Sequence, residues 1–289
     1  MKDGFPEKDS PALTLTVLAS GSRGNCLHID DGETAILVDA GFSCKELFRR
    51  MESTGICPQR LSAIVLSHEH TDHVSAAGVL SRKLKIPVYG TSGTLDAAKT
   101  RTGELACRRD ITCGVPFAIG GFLIHPFSIS HDAADPTGFT VSRDQIKIGI
   151  ATDLGVATTL IKNHLKTCNA LVLEANHCPE LLDKGPYPWA LKQRVKSRTG
   201  HLSNENARDL LGEVIHDQLS HVILAHLSEE NNQPERACRV VGEALAGTQT
   251  RLHTAGQLSP LPAIRIGGGA SRQDTSSPSE SFLPVFVAG

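Results

Sequence analysis

The stretch SHEHTDH, residues 67–73, constrains this chain more than any other. The apolar run LSAIVLS reads as a buried strand that delivers the chain to His68. In extended backbone, residues i and i+2 point the same way, so His68 and His70 can share one ion. After a turn, Asp72 and His73 open the next helix. Imidazoles with a carboxylate are ligands for zinc, or for manganese where carboxylates contribute. A solvated polar loop at a strand end is the alternative, and the spacing argues against it. The chain carries 13 histidines in 289 residues, so further ligands are available.

Around this motif, strands are expected at 13–19 (LTLTVLA), in CLHIDD, in TAILVDAG ending near Asp39, and in IPVYGT. Helices are expected at 43–54 and about 73–85. The region 105–150 carries only strand and turn signals. Strands follow at 169–176 and 220–227, with a helix over about 203–216 between them. In that helix Ala207, Leu210, Leu211, Val214 and Ile215 fall on one face. A last helix is expected over about 233–246. Residues 1–12 read as a flexible N-terminus, 13–265 as one domain and 266–289 as a disordered Gly/Ser/Pro-rich tail. Strand clusters with helices outside them imply a layered α/β protein.

The start, MKDGFPEKDSPA, is charged and lacks an apolar core, and no apolar run is long enough to span a membrane. The eight cysteines form no CxxC pair, so free thiols in a reducing cytoplasm are expected. The net charge of -2 excludes a globally basic nucleic-acid binder but leaves room for a local basic patch.

HxHxDH after a buried strand resembles the signature of the metallo-β-lactamase fold. The resemblance implies a four-layer αββα sandwich and a two-metal site. It identifies the remaining ligands as His131 in SISHDAADPTGF, Asp153 in IGIATDLG and His226 in VILAHLS, with Asp39 in LVDAG supporting them from behind. His125 competes with His131 but sits mid-strand before a proline. His221 competes with His226 but precedes its apolar run. His177 and His164 could be surface residues or could support the site from behind, and a site role for His177 stays open. One ion, Zn2+ or Mn2+, would lie among His68, His70, His131 and Asp153. The other would lie among Asp72, His73, His226 and Asp153, with a hydroxide shared between them.

Three features bear on the reaction. LVLEAN followed by GHLSNENA resembles the ribonuclease Z branch, which pairs a strand-end carboxylate with a histidine opening a helix; the matching residues are Glu174 and His201. This chain has Leu173 where that branch has a histidine. A histidine held by a carboxylate stays protonated near neutrality and can protonate a departing oxygen. A turn residue and a buried salt-bridge partner are the alternative readings of His201 and Glu174. Next, Lys184, Lys192, Arg194, Lys196 and Arg198 approach His201 without an intervening acid, together with Tyr187 and Trp189. They suit a nucleic-acid strand, or else a solvated helix face with a buried tryptophan. The helix start at Ser203 would also favour a phosphate. Lastly, the segment between Asp153 and His226 leaves no room for the inserted domain of the β-CASP nucleases.

Taken together, LTVLASGSRGN, SHEHTDH, LEANHC, GPYPWALKQRVKSRTGHLSN and AHLSEENN resemble the YycJ/WalJ group of this fold. That implies a cytoplasmic, metal-dependent 5'-to-3' DNA exonuclease, with Asp72, Asp153, Glu174 and His201 in the chemistry. Ser22, Asn25, Lys192, Arg194 and Arg198 are the candidates for contacting substrate. A small-molecule phosphodiesterase, a ribonuclease, and a nucleic-acid-binding protein with structural metals are the rival readings.

Overall fold

A computed structural model describes residues 12–267. Strands β1 (Ala12–Ala19), β2 (Cys26–Asp30), β3 (Ala35–Val38), β4 (Leu61–Val65), β5 (Val88–Thr91) and β6 (Arg108–Ile111) build one sheet. Strands β7 (Phe117–Ile119), β8 (Phe122–Ser128), β9 (Thr137–Arg143), β10 (Ile146–Ala151), β11 (Ala170–Glu174), β12 (His221–Ala225) and β13 (Arg251–Thr254) build a second. The last strand, β14 (Ile264–Gly267), returns to the first sheet and pairs with β1, giving the orders 14-1-2-3-4-5-6 and 13-12-11-10-9-8-7. Each sheet is half antiparallel and half parallel. In the first, β3, β4, β5 and β6 run parallel; in the second, β10, β11, β12 and β13 do.

Alternation along the strands separates the buried surfaces. In β4, Ala63 and Val65 face the second sheet, whereas Leu61 and Ile64 face the helices outside. In β11, Ala170 and Val172 face the first sheet, and Leu171 and Leu173 face outward. Helices α1 (Cys44–Ser53), α2 (Thr71–Val74), α3 (Ala77–Leu84) and α4 (Ser92–Thr102) lie with the first sheet. Leu47, Met51, Leu80 and Leu95 pack from these helices onto its outer face. Helices α5 (Thr159–Leu165), α6 (Pro179–Lys184), α7 (Trp189–Lys196), α8 (Asn204–Val214) and α9 (Pro234–Gly242) follow in the second half. Of these, α5, α8 and α9 cover the second sheet through Ile161, Leu165, Leu210, Leu211 and Val241. The result is the expected αββα sandwich, with apolar burial between the sheets and beneath both helical layers as its main driving force.

The structure differs from the sequence reading in several places. The helix expected over 73–85 is two helices. The chain breaks between them because the Ala76 amide donates to the carbonyl of Ala40, in the loop after β3, at 2.8 Å. Helices α4, α5 and α6 are additional to the expected ones: α5 and α6 are short and bury only Ile161 and Leu165, and Leu182, while α4 buries two threonines beside Leu95 and Ala98, so none shows a clear apolar period. Ala12 already belongs to β1, and β14 extends past residue 265 to Gly267. The rest of the segments expected to be flexible or disordered lies outside the described residues. Among the described residues, no helix is long and apolar enough to cross a membrane.

The loop after β3 is stitched to the histidine motif. The Ala40 amide donates to the His73 carbonyl at 2.7 Å, and the Asn25 amide to that of Asp72 at 2.7 Å. A Cβ on Gly41 would lie 1.6 Å from the Asp72 carbonyl oxygen, so only glycine fits. Gly41→Ala is therefore expected to destabilise the fold by about 1–3 kcal/mol in urea unfolding. In contrast, nothing lies near a Cβ at Gly212 inside α8. Gly212→Ala should stabilise by roughly 0.5–1 kcal/mol. Equal effects would refute the packing described here.

Candidate metal centre

The parallel halves of both sheets point their carboxyl ends at one edge, where ligand sites of open α/β sheets form. Asp39 follows β3, His68 follows β4, Asp153 follows β10, Glu174 ends β11 and His226 follows β12. Asp39, Asp153 and His226 all have left-handed backbone, with φ of 62°, 57° and 55°. That region is uncommon outside glycine, and such strain tends to persist where a side chain must be aimed.

Behind the first-sheet histidines, Asp39 accepts from the Ser67 amide, the Ser67 hydroxyl and His73 Nδ1, each at 2.8 Å. Ser67 Oγ also lies 3.0 Å from His68 Nδ1. These contacts occupy the Nδ1 side of both rings and turn Nε2 toward the cavity. In the second sheet Glu174 plays the matching part. Its Oε1 accepts from His201 Nδ1 at 2.7 Å and His226 Nδ1 at 3.1 Å. Its Oε2 accepts from the amides of Leu154 at 2.8 Å and Leu202 at 3.0 Å.

The atoms facing the cavity have the spacing of ligands. Two ligand atoms at tetrahedral angles about a zinc ion lie roughly 3.3 Å apart. His70 Nδ1 and His131 Nε2 are 3.4 Å apart. His73 Nε2 is 3.4 Å from Asp72 Oδ2 and 3.3 Å from Asp153 Oδ2. His226 Nε2 is 3.6 Å from Asp72 Oδ2 and 3.5 Å from Asp153 Oδ1. His68, His70 and His131 converge as one set able to hold an ion, and Asp72, His73 and His226 as another. His68 Nε2, His226 Nε2 and Asp153 Oδ2 are buried without a hydrogen-bond partner among the described residues. A buried polar atom left alone is costly, so these three fit a bound cation. Glu174 and His201 also stand close enough to Asp153 and His226 to form a donor set. However, both Glu174 oxygens and His201 Nδ1 are already spent on hydrogen bonds.

The electrostatics agree. Burial disfavours a charged His73, yet the carboxylates of Asp153, Asp39 and Asp72 outweigh it and hold its pKa well above the usual imidazole range. Burial is likewise overridden at His226, by Asp153, Asp72 and Glu174. Such negative potential around two imidazoles is where a divalent cation replaces protons. His68 and His131 lie lower than usual, chiefly through burial. At His201 burial is outweighed by Glu174, which raises the imidazole. Burial alone would raise the Glu174 carboxyl, but its histidine partners hold it well below the carboxylate range.

The other candidates fall differently. Asn25 is buried; its Oδ1 accepts from the Gly21 amide at 2.8 Å, and its Nδ2 lies 3.2 Å from Asp72 Oδ2 and 3.0 Å from His73 Nε2. It braces the centre instead of facing a substrate, whereas Ser22 is exposed. The basic run is mostly partnered: Lys184 with Glu180, Arg194 with Asp132 and Lys196 with Asp183. Lys192 Nζ donates to the Asp183 carbonyl at 2.8 Å, and Arg198 is exposed. Trp189 is 76% exposed, so the buried-tryptophan reading does not hold. The start of α8 is not open to a phosphate, because the Asn204 amide donates to the His177 carbonyl and the Asn206 amide to the Ser203 hydroxyl.

His177 is buried beside the site, its imidazole pushed down to about 4 by burial, and it belongs to neither ligand set. His125 stacks edge-on against His164, away from the centre, and His221 pairs with His253. The cysteines are free thiols and none joins the cluster.

An asparagine network was not anticipated. Asn232 Nδ2 donates to the carbonyls of Ala175 and Asn176 at 2.8 and 3.1 Å, and Asn204 Nδ2 donates to Asn232 Oδ1 at 2.9 Å. Asn176 Nδ2 donates to the His226 carbonyl at 2.8 Å. These bonds tie the ends of β11 and β12 to the start of α8. The network's members lie in LEANHC, GHLSN and AHLSEENN, stretches that carry the resemblance but do not show that these asparagines meet.

The pattern of the beta-lactamase superfamily domain matches residues 34–227. Over 235 residues the chain is 37% identical to exodeoxyribonuclease YycJ of Bacillus anthracis, covering 81% of this chain and 89% of that protein. It is 32% identical over 235 residues to exodeoxyribonuclease WalJ of Streptococcus pneumoniae, covering 80% and 87%. Among solved structures, the metallo-β-lactamase fold protein YhfI of Bacillus subtilis superposes with a TM-score of 0.68 at 16% identity, covering 86% of this chain and 99% of that one. Human tRNase Z, short form, gives 0.59 at 16% identity, covering 86% and 98%. At these identities the structures speak for the fold alone.

Loading a cation must displace protons from His73 and His226, so calorimetric titration of cation-free protein with Zn2+ near neutral pH should show proton release. Affinity should fall as pH drops from about 8 to about 6, because raised imidazole pKa values let protons compete more strongly. An affinity independent of pH would contradict the ligand assignment.

Proposed function

The chain belongs to the metallo-β-lactamase superfamily and, within it, to the YycJ/WalJ group, and on that premise we propose that this metal-dependent hydrolase is a 5'-to-3' exonuclease acting on DNA. Two ions, Zn2+ or Mn2+, would be held by His68, His70 and His131 and by Asp72, His73 and His226, with Asp153 reaching both. Bound there, they would activate water and stabilise charge on a phosphodiester. The observation carrying the proposal is the Glu174–His201 pair. Glu174 occupies His201 Nδ1 and favours the protonated ring, leaving Nε2 to deliver a proton. The His201 side chain is 21% exposed, and its ring lies 5.2 Å from that of His131 and 5.1 Å from that of His226. It is thus at the cavity and open to a substrate. A departing deoxyribose oxygen is a poor leaving group and requires that proton.

One observation favours the rival reading, a small-molecule phosphodiesterase: ion pairs neutralise much of the basic run beside His201. End-labelled DNA and RNA, compared with bis-p-nitrophenyl phosphate, separate the two. Hydrolysis of the small ester alone would defeat the nuclease reading.

The acid role predicts a leaving-group dependence. His201→Ala should lower turnover on DNA by about 10²–10⁴-fold. It should act much less on bis-p-nitrophenyl phosphate, whose leaving phenolate needs no proton, and should leave metal content intact. Equal losses on both substrates would refute the acid role, and loss of metal would mark His201 as a ligand.

A further inference from the structure

Helix α7 is anchored at one end and bare at the other. Only Val195 among its residues is buried. The Val195 carbonyl accepts from the His201 amide at 2.9 Å, and a Cβ on Gly200 would lie 2.2 Å from that carbonyl oxygen. Arg194 pairs with Asp132, whose Oδ1 is 3.4 Å from His131 Nε2. The C-terminal end of α7 therefore abuts the catalytic edge. Its first residue, Trp189, is the only tryptophan in the chain and is 76% exposed. Tyr187, between Pro186 and Pro188, lies two residues before it. Exposing the largest aromatic side chain gains nothing for folding, since burial of its ring would be favourable.

Charge indicates what covers it. On the same stretch, neither Lys192 nor Arg198 forms an ion pair among the described residues: Lys192 Nζ donates to the Asp183 carbonyl beside that residue's carboxylate, and Arg198 is exposed. An indole face beside cations, on a helix leading to a phosphodiesterase site, matches a single strand, whose phosphates track the cations while a base stacks.

We propose that Trp189 is a stacking platform for an unpaired base of the substrate strand. From Trp189 to Val195 the helix rises roughly 9 Å, the length of about three stacked nucleotides. The platform therefore receives a base a few nucleotides from the one being removed. This inference rests on the nuclease reading.

The lone tryptophan is its own probe. Oligothymidylate of about ten nucleotides, added to metal-loaded His201→Ala protein, should quench its emission, whereas an abasic deoxyribose-phosphate strand of equal length should not. In the otherwise unaltered enzyme, Trp189→Ala should raise KM for oligothymidylate on the order of 5- to 150-fold. Trp189→Phe should restore most of the loss, and Trp189→Ala should move the KM for the abasic strand far less. Unchanged emission with the strand bound and an unmoved KM in Trp189→Ala would overturn the platform while the nuclease reading stood, leaving the indole to a protein partner. If oligonucleotides are neither bound nor cut while the small ester is hydrolysed, the nuclease reading fails and the platform with it.

Discussion

The second half of the site depends on one buried carboxylate. Glu174 is fully enclosed at the end of β11 and accepts hydrogen bonds from two imidazoles and two backbone amides. An ionised carboxyl survives such burial only with this degree of satisfaction. Its bonds fix the tautomers of His226, in a ligand set, and of His201, the proposed acid. They also fix the loops following β10 and preceding α8, through Leu154 and Leu202. On the proposed reading, metal affinity and proton delivery are coupled through this one residue.

Asp39 is the counterpart on the first sheet, aiming His73 and, through Ser67, His68. The cavity lies where the two sheets meet, so its ligand spacing is set by the layer of apolar side chains between them. A shift of one sheet against the other would change the distances from Asp153 to His73 and from His226 to Asp72 together. Such rigidity suits a site whose ligands must be placed before any ion arrives.

Sequence carried the fold class and the gathered histidines because those signals are local. A buried strand, a period of two and a turn place His68, His70, Asp72 and His73 without help from distant residues. His131, Asp153 and His226 came from the family resemblance, which points to residues at the ends of other apolar strands. What escaped depended on partners elsewhere in the chain. Asn25 resembled a substrate contact because nothing in GSRGN reveals that its amide meets Asp72 and His73. The basic run looked free of acids because its window began one residue after Asp183 and excluded Glu180 and Asp132. The break between α2 and α3 comes from one hydrogen bond to Ala40, which periodicity cannot show. The asparagine network likewise exists only once β11, β12 and α8 have been brought together.

Glu174→Gln tests the coupling most directly. Glutamine offers one acceptor oxygen where glutamate offers two, so it cannot serve both the amides and the two imidazoles. Metal content by mass spectrometry under native conditions, measured alongside turnover, should show loss of the ion on the His226 side together with loss of activity. Full metal content with only the activity lost would contradict the dual role of Glu174, and would assign it to His201 alone.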